Sequence, residues 1–241
     1  MMNTDFGIHV VKIINVFGVD VRITETLVNA LIIMGVMIFV ALLVRISISK
    51  WEDVPTPMQN IVEAVVEGLD NFTASTMGEK YRNFAPFYGT ILIFILLCNL
   101  AGLFLAPNYL GLEQPVYFMR PPTADIALTF ALALITFFMT QGFGIKSKGV
   151  GKWLKGLTEP MWPLTPLNIV GELANPISLS FRLFGNILGG TIIMGLFYNL
   201  PWYTLIGIPS ALHGYFDVFA GVLQSVIFVM LSMTFVSSAM E

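Results

Sequence analysis

Apolar residues run along this chain in blocks, and the blocks are long. Five stretches, 27–44, 86–105, 124–143, 166–198 and 206–233, are mostly apolar. A membrane-spanning helix needs ~20 mostly apolar residues to cross a hydrocarbon layer of ~30 Å, so each block predicts one. The fourth and fifth exceed a single perpendicular crossing and must tilt, bend or travel partly along the membrane plane. Residues 57–73, PMQNIVEAVVEGLDNFT, follow another rule. Ile61, Val65, Leu69 and Phe72 recur at helical spacing, while Glu63, Glu67 and Asp70 lie off that stripe. This predicts an amphipathic helix, docked on protein or at the interface. The expected fold is an all-α integral membrane protein, a single polytopic domain over 1–241 with five transmembrane helices and one amphipathic interfacial helix.

Composition agrees with that pattern. The chain is 56% hydrophobic and 11% charged, where soluble domains carry about 25% charged residues. Its exterior is therefore suited to lipid. A net charge of −3 offers no basic field for nucleic acid. Cys98 is the single cysteine and is expected to pack as a small apolar residue. With His9 and His213 the only histidines, a histidine metal site is not expected, and no glycine-rich phosphate loop is present. No cofactor is expected. Residues 1–20 carry Asp5, Lys12 and Asp20 without a long apolar run, so the first apolar block is expected to stay as an anchor. Loop charge sets the orientation. Residues 45–85 hold Arg45, Lys50, Lys80 and Arg82, and 144–156 hold Lys146, Lys148, Lys152 and Lys155, whereas 106–123 hold only Arg120 and 199–205 hold no charge. The positive-inside rule puts the lysine-rich loops and the C-terminus in the cytoplasm and the N-terminus outside.

Ionisable residues inside the apolar blocks are functional candidates by default. The fourth block contains Glu172 and Arg182, and the fifth contains Asp217. A central arginine costs about 2.5–3.5 kcal/mol on insertion scales, and it keeps its charge at any physiological pH. Arg182 is thus a fixed cation that attracts a carboxylate and repels a cation. Asn168, Glu172, Asn175, Ser178, Arg182 and Asn186 recur at steps of three or four, which places them on one helical face. The bland reading is a packing seam, or an ion pair that only locks two helices, and Gly185 and Gly189 fit close approach of another helix. In the fifth block Asp217, Gly221 and Gln224 share a face. Asp217 must be paired, hydrated or protonated there, whereas Gln224 is equally well read as hydrogen-bonding glue between helices. His213 reads as an interfacial residue. Asp125, after Arg120-Pro121-Pro122-Thr123, reads as a helix cap, with a second role as an acid at an outer aqueous mouth open.

The residues alone leave an independent ion channel or secondary transporter open, with Arg182 binding an anion. A membrane enzyme needs a nucleophile–base pair or a metal cluster, and no such motif is evident.

RLFGN at 182–186, inside a long apolar block, resembles the signature of the F-type ATP synthase subunit a family. PMQN at 57–60 with Glu63, NLAGL at 99–103, PTAD at 122–125, GELAN at 171–175 and Leu223-Gln224 before an apolar run resemble other parts of that family, in the same order. The resemblance implies a non-catalytic stator subunit of the bacterial plasma membrane that passes H+ or Na+ to a rotating c-ring. Its last two helices would form a long tilted hairpin against that ring, and the b-subunit peripheral stalk would be a further partner. It implies two aqueous half-channels separated by Arg182, with Glu172 in the inner one and Asp217 in the outer one. Asn175 and Asn186 would line water or face the ring, and Gln224 would approach Arg182. Two positions depart from patterns seen in the family: Thr191 stands nine residues after the arginine where some members carry Glu, and Asp217 stands seven before the glutamine where some carry His.

Overall fold

Among the residues described by the computed structural model, 10–16, 19–48, 56–103, 120–158, 161–198 and 208–241, five helices are long and apolar enough to cross a membrane. Residues 104–105 and 206–207 of the expected spans, the 199–205 turn, Lys50, His9 and much of 1–20 lie outside the described residues.

The chain opens with a hairpin, β1 (Val10–Val16) and β2 (Val19–Thr24), antiparallel with Val16 opposite Val19. Helix α1 (Glu25–Ile48) follows and runs away from it. Helix α2 (Pro57–Met77) starts on Thr56, whose side chain accepts the Gln59 N–H at 3.4 Å, and stops at Gly78 with φ 97. Helix α3 (Ala85–Leu100) returns to the hairpin end. Helix α4 (Ile126–Lys148) runs back and ends at Gly149, whose φ of 78 is reserved almost entirely for glycine. That turn sends the chain into a short helix, α5 (Val150–Thr158). Helix α6 (Thr165–Tyr198) has 34 residues, about 50 Å at 1.5 Å per residue, far more than a perpendicular crossing needs. The last element is composite: α7 (Ile208–His213), a π-helical turn over Gly214–Ala220, and α8 (Gly221–Met240).

The five spans fall close to the apolar blocks, the last extending seven residues further, to Met240. Two elements were not expected. The hairpin adds a small β-unit to a fold that is otherwise helical, and α5 occupies what read as a lysine-rich loop.

Lipid gives helices no hydrophobic reason to associate, so packing and interhelical polar contacts hold a membrane bundle together. The packed centre joins Tyr88 and Ile95 of α3, Leu132 of α4, Leu179 and Leu183 of α6, and Phe228, Val229 and Met233 of α8. Hydroxyl pairs tie the same helices: Thr129 to Ser180 at 3.2 Å and Thr136 to Ser232 at 2.9 Å. Cys98 packs with Ile33 and Ala101, as an apolar residue would. The amphipathic helix divides: Thr73, Ala74 and Met77 are buried, while Met58, Ile61 and Val65 are exposed. Helix α1 joins the bundle only near its start, through Thr26, Asn29, Ala30 and Ile33, and presents Val36, Ile38, Phe39 and Leu43 outward.

Asn99 is the main polar fastener. It is 1% exposed, donates from Nδ2 to the Gly221 carbonyl at 2.9 Å and to Ser225 Oγ at 2.9 Å, and accepts from Thr123 Oγ1 at 2.7 Å. Helix α3, the turn before α4 and the start of α8 therefore meet at one side chain. Asn99→Ala strands the Thr123 hydroxyl in an apolar setting, which costs about 1–3 kcal/mol. A lowered thermal midpoint of the purified subunit in detergent is the expected result.

Candidate functional site

Arg182 lies on the outward face of α6. It is exposed, as are Phe181, Ser178 and Gly185 beside it, and among the described residues it has no ion pair or hydrogen-bond partner. Immediately behind it, Leu179 and Leu183 are 2% and 0% exposed in the bundle core. The sequence therefore places a permanent cation on the surface of a membrane-spanning helix. Lipid alone is an expensive neighbour for it, and its five N–H donors call for acceptors that the described residues do not supply.

The outward face around Arg182 is open at its glycines. An added Cβ at Gly171, Gly185 or Gly189 meets no atom within 4 Å. Gly185 and Gly189, expected to admit a neighbouring helix, admit none from the described part of this chain. The close approach is at Gly190, where a Cβ would sit 3.1 Å from Phe216 Cβ. Gly190 thus fits α6 against the π-helical turn.

The polar stripe of α6 splits between two surroundings. Ser178 and Arg182 point outward, while Asn168, Glu172 and Asn175 turn toward α4 and α5. There, at the lysine-rich end, α4, α5, α6 and α8 enclose an open cavity of about 600 Å³ lined by Gln141, Lys148, Lys152, Trp153, Glu172 and Asn175 among others. A separate void of about 10 Å³, barely room for one water, shares Glu172 and Asn175 with it and is also lined by Thr136, Pro176 and Leu179. Pro176, inside α6, has no N–H to offer the Glu172 carbonyl four residues back, so the helix leaves a backbone acceptor at the same level. Glu172 Oε2 accepts from Gln141 Nε2 at 2.9 Å, and Gln141 Oε1 accepts from Trp153 Nε1 at 3.0 Å. Gln141 and Trp153 were not singled out in the sequence, because nothing in spacing joins residues 31 and 12 positions apart.

At the hairpin end the acid is Asp217, in the middle of the π-helical turn. It pairs with His213 Nδ1 one turn earlier, both side chains being 20% exposed. The i,i+4 spacing was the available signal for that pair. Asn186 Nδ2 reaches across from α6 to the Ala220 carbonyl at 3.2 Å, where the π-helical turn interrupts the regular bonding ladder. Thr191 spends its hydroxyl on the Ile187 carbonyl of its own helix, at 2.9 Å. Gln224 is 7% exposed, with Nε2 buried and unpartnered among the described residues. No hydrogen bond joins it to Arg182.

Asp125 takes the capping geometry. Its Oδ1 accepts the Ala127 N–H at 2.9 Å, its Oδ2 accepts from Thr26 at 2.6 Å, and it is 8% exposed. Beside it Arg120 lies 3.9 Å from Glu25, and Asn29 donates to the Arg120 carbonyl at 3.1 Å. Among the described residues no group of three or more His, Cys, Asp and Glu side chains is placed to hold a metal ion.

A helical bundle of five spans, an open polar cavity at one end, an acid–histidine pair at the other and an outward arginine define a multi-pass membrane protein with ionisable groups on its spans. Comparison with known proteins gives the family. Residues 27–237 match the family of the ATP synthase A chain. The chain is 35% identical over 208 residues to the sodium-ion-specific ATP synthase subunit a of Propionigenium modestum, covering 85% of this chain and 71% of that one. It is 36% identical over 211 residues to ATP synthase subunit a of Geobacter sulfurreducens, covering 85% of each. It is 33% identical over 230 residues to that of Staphylococcus aureus strain JH9, covering 92% and 93%. The chain belongs to the ATP synthase subunit a family.

The contrast between the glycines is testable in the isolated subunit. Gly190→Leu overpacks against Phe216 and is expected to destabilise by about 1–3 kcal/mol, seen as a lower thermal midpoint in detergent. Gly185→Leu, which fills open space, leaves that midpoint unchanged.

Proposed function

We propose that this chain is the ion-translocating stator subunit of an ATP synthase membrane sector, with the Arg182 face of α6 set against a ring of carboxylate-bearing c subunits. One observation supports this most: the exposed guanidinium, without a partner among the described residues, on an open strip of a membrane-spanning helix. A carboxylate arriving from a separate rotor supplies the missing acceptor, and the absence of side chains at Gly185 and Gly189 lets a partner helix slide past.

Positive charge supports the orientation. Arg45, Lys80, Arg82, Lys146, Lys148, Lys152 and Lys155 lie at the cavity end, against Lys12, Arg22 and Arg120 at the hairpin end, among the described residues. By the positive-inside rule the cavity opens to the cytoplasm of a bacterial cell, and the hairpin faces outward.

In this reading the cavity is the inner half-channel. Water reaches Glu172 and Asn175. An ion on the inner side meets Glu172 and passes to a ring carboxylate. On the outer side, the Asp217–His213 pair exchanges ions with the external solution, and Asn186 keeps α6 against the π-helical turn. Gln224, buried with a free amide N–H, offers a bond to a water or to the ring. Asp125 fastens α4 to α1. Between the two paths Arg182 stabilises an ionised ring carboxylate and repels any cation that would leak straight through. The ring carboxylate is neutralised by its ion before it turns into lipid, where a bare charge is costly. Moving one charge across 100 mV is worth about 2.3 kcal/mol, so several ions pass for each ATP. The coupling ion is H+ or Na+, the b-subunit peripheral stalk braces this chain, and the chemistry of ATP takes place in another part of the complex.

Arg182→Ala is expected to abolish ion-driven ATP synthesis in vesicles, while the detached soluble head still hydrolyses ATP. Sustained ion-driven synthesis in that variant contradicts the assignment. Asp217→Asn is expected to slow synthesis less severely than loss of Arg182. An unchanged rate removes Asp217 from the outer path.

A further inference from the structure

We infer that Trp153 and Gln141 are positioning residues for the inner acid, a relay through which the short helix α5 sets how Glu172 meets its ion. The inference rests on the placement of Glu172 in the inner path proposed above.

An indole N–H is a donor and nothing else. Trp153 Nε1 lies 3.0 Å from Gln141 Oε1, so the amide must turn its oxygen to the indole. Its nitrogen then faces Glu172 Oε2, at 2.9 Å. The reversed amide would set N–H against N–H on one side and oxygen against carboxylate on the other. Trp153 thereby fixes a choice that an isolated glutamine leaves free, and Gln141 is made a committed donor to the carboxylate. Bonds in such a chain polarise one another.

The fold gives the relay its reach. Trp153 belongs to α5, which exists because Gly149 reverses the chain after α4. The apolar side of α5 turns Trp153 and Leu157 toward the cavity, and Leu157 offers its carbonyl to Asn168 Nδ2 at 2.9 Å. A second contact thus ties α5 to the same helix that carries Glu172. The charged side chains lining this cavity besides Glu172 are Lys148 from α4 and Lys152 from α5, while α8 contributes Phe235, Ser238 and Ala239. Neither lysine forms an ion pair with Glu172, so the neutral amide is its direct side-chain partner. A donor that favours the bare carboxylate keeps it from gripping the cation and speeds release. Removing the donor makes Glu172 hold its ion more tightly and pass it on more slowly.

The test uses the complete ATP synthase in inverted vesicles. ATP-driven uptake is followed per assembled complex against ion concentration on the cytoplasmic face. Trp153→Phe keeps the ring and removes the N–H; Gln141→Leu removes the whole relay. The expected result is a lower half-saturating ion concentration, by about threefold for Trp153→Phe and up to about tenfold for Gln141→Leu, the span of one hydrogen bond, with a reduced maximal rate in both. In a Glu172→Gln background neither substitution shifts the half-saturating concentration. A half-saturating concentration that stays fixed in Trp153→Phe and Gln141→Leu while Glu172→Gln impairs uptake overturns the relay alone. So do shifts of equal size with and without Glu172, which mark a general packing role. An unaltered uptake curve in Glu172→Gln instead removes the acid from the path, and the relay with it.

Discussion

A guanidinium keeps its proton throughout the physiological range, and in this protein it is carried on the outer face of a membrane-spanning helix with no acceptor among the described residues. Burying it would require a partner inside the bundle, and leaving it in lipid is costly. Both difficulties are resolved when the missing acceptor belongs to another molecule that comes and goes. The side chains behind Arg182 do the opposite work. Leu179 and Leu183 are packed in the core directly behind it. The charge meets only what approaches α6 from outside.

The remaining polar groups arrange themselves about that constraint. Those that hold the bundle are satisfied: Asn99 joins α3, α8 and the turn before α4, Asp125 caps α4 and ties down Thr26, and paired hydroxyls bridge α4 to α6 and α8. Those that read as serving the ion are left with capacity to spare. Glu172 sits in an open cavity with one oxygen engaged by Gln141, and among the described residues Gln224 has a free amide N–H and Arg182 has no partner. Burial does not separate the scaffold from the candidate path, since Gln224 is as buried as many structural residues.

The spans were legible because hydropathy alone dictates what lipid accepts, and Arg182, Glu172 and Asp217 were legible because a charge in an apolar block has few explanations. The family was legible in RLFGN for a related reason: a cation amid apolar residues is a rare pattern. What could not be read was direction. The stripe from Asn168 to Asn186 covers a broad arc of α6, and only the packing of α4 and α5 decides that Glu172 turns inward while Arg182 turns out. The same limit applies to glycine, where Gly185, Gly189 and Gly190 look alike until Phe216 is found over one of them. The β1–β2 hairpin rests on an alternation of a few residues, too short to stand out, and α5 is a nine-residue helix whose lysines resemble an ordinary loop. His213 was within reach, since a histidine four residues before an acid on a helix shares its face.

The central claim is that the Arg182 face of α6 is covered by a rotor and not by lipid. Site-directed cross-linking in native membranes examines this directly, with a cysteine at Ser178, one turn from Arg182, and a lipid-facing control at Phe39 of α1; Cys98 is buried and does not compete. The account predicts a covalent product between Ser178→Cys and cysteine-bearing c subunits, and none from Phe39→Cys. If Ser178→Cys forms no such product and instead reacts with lipid-soluble thiol reagents as readily as Phe39→Cys, the face is bare and the account is wrong.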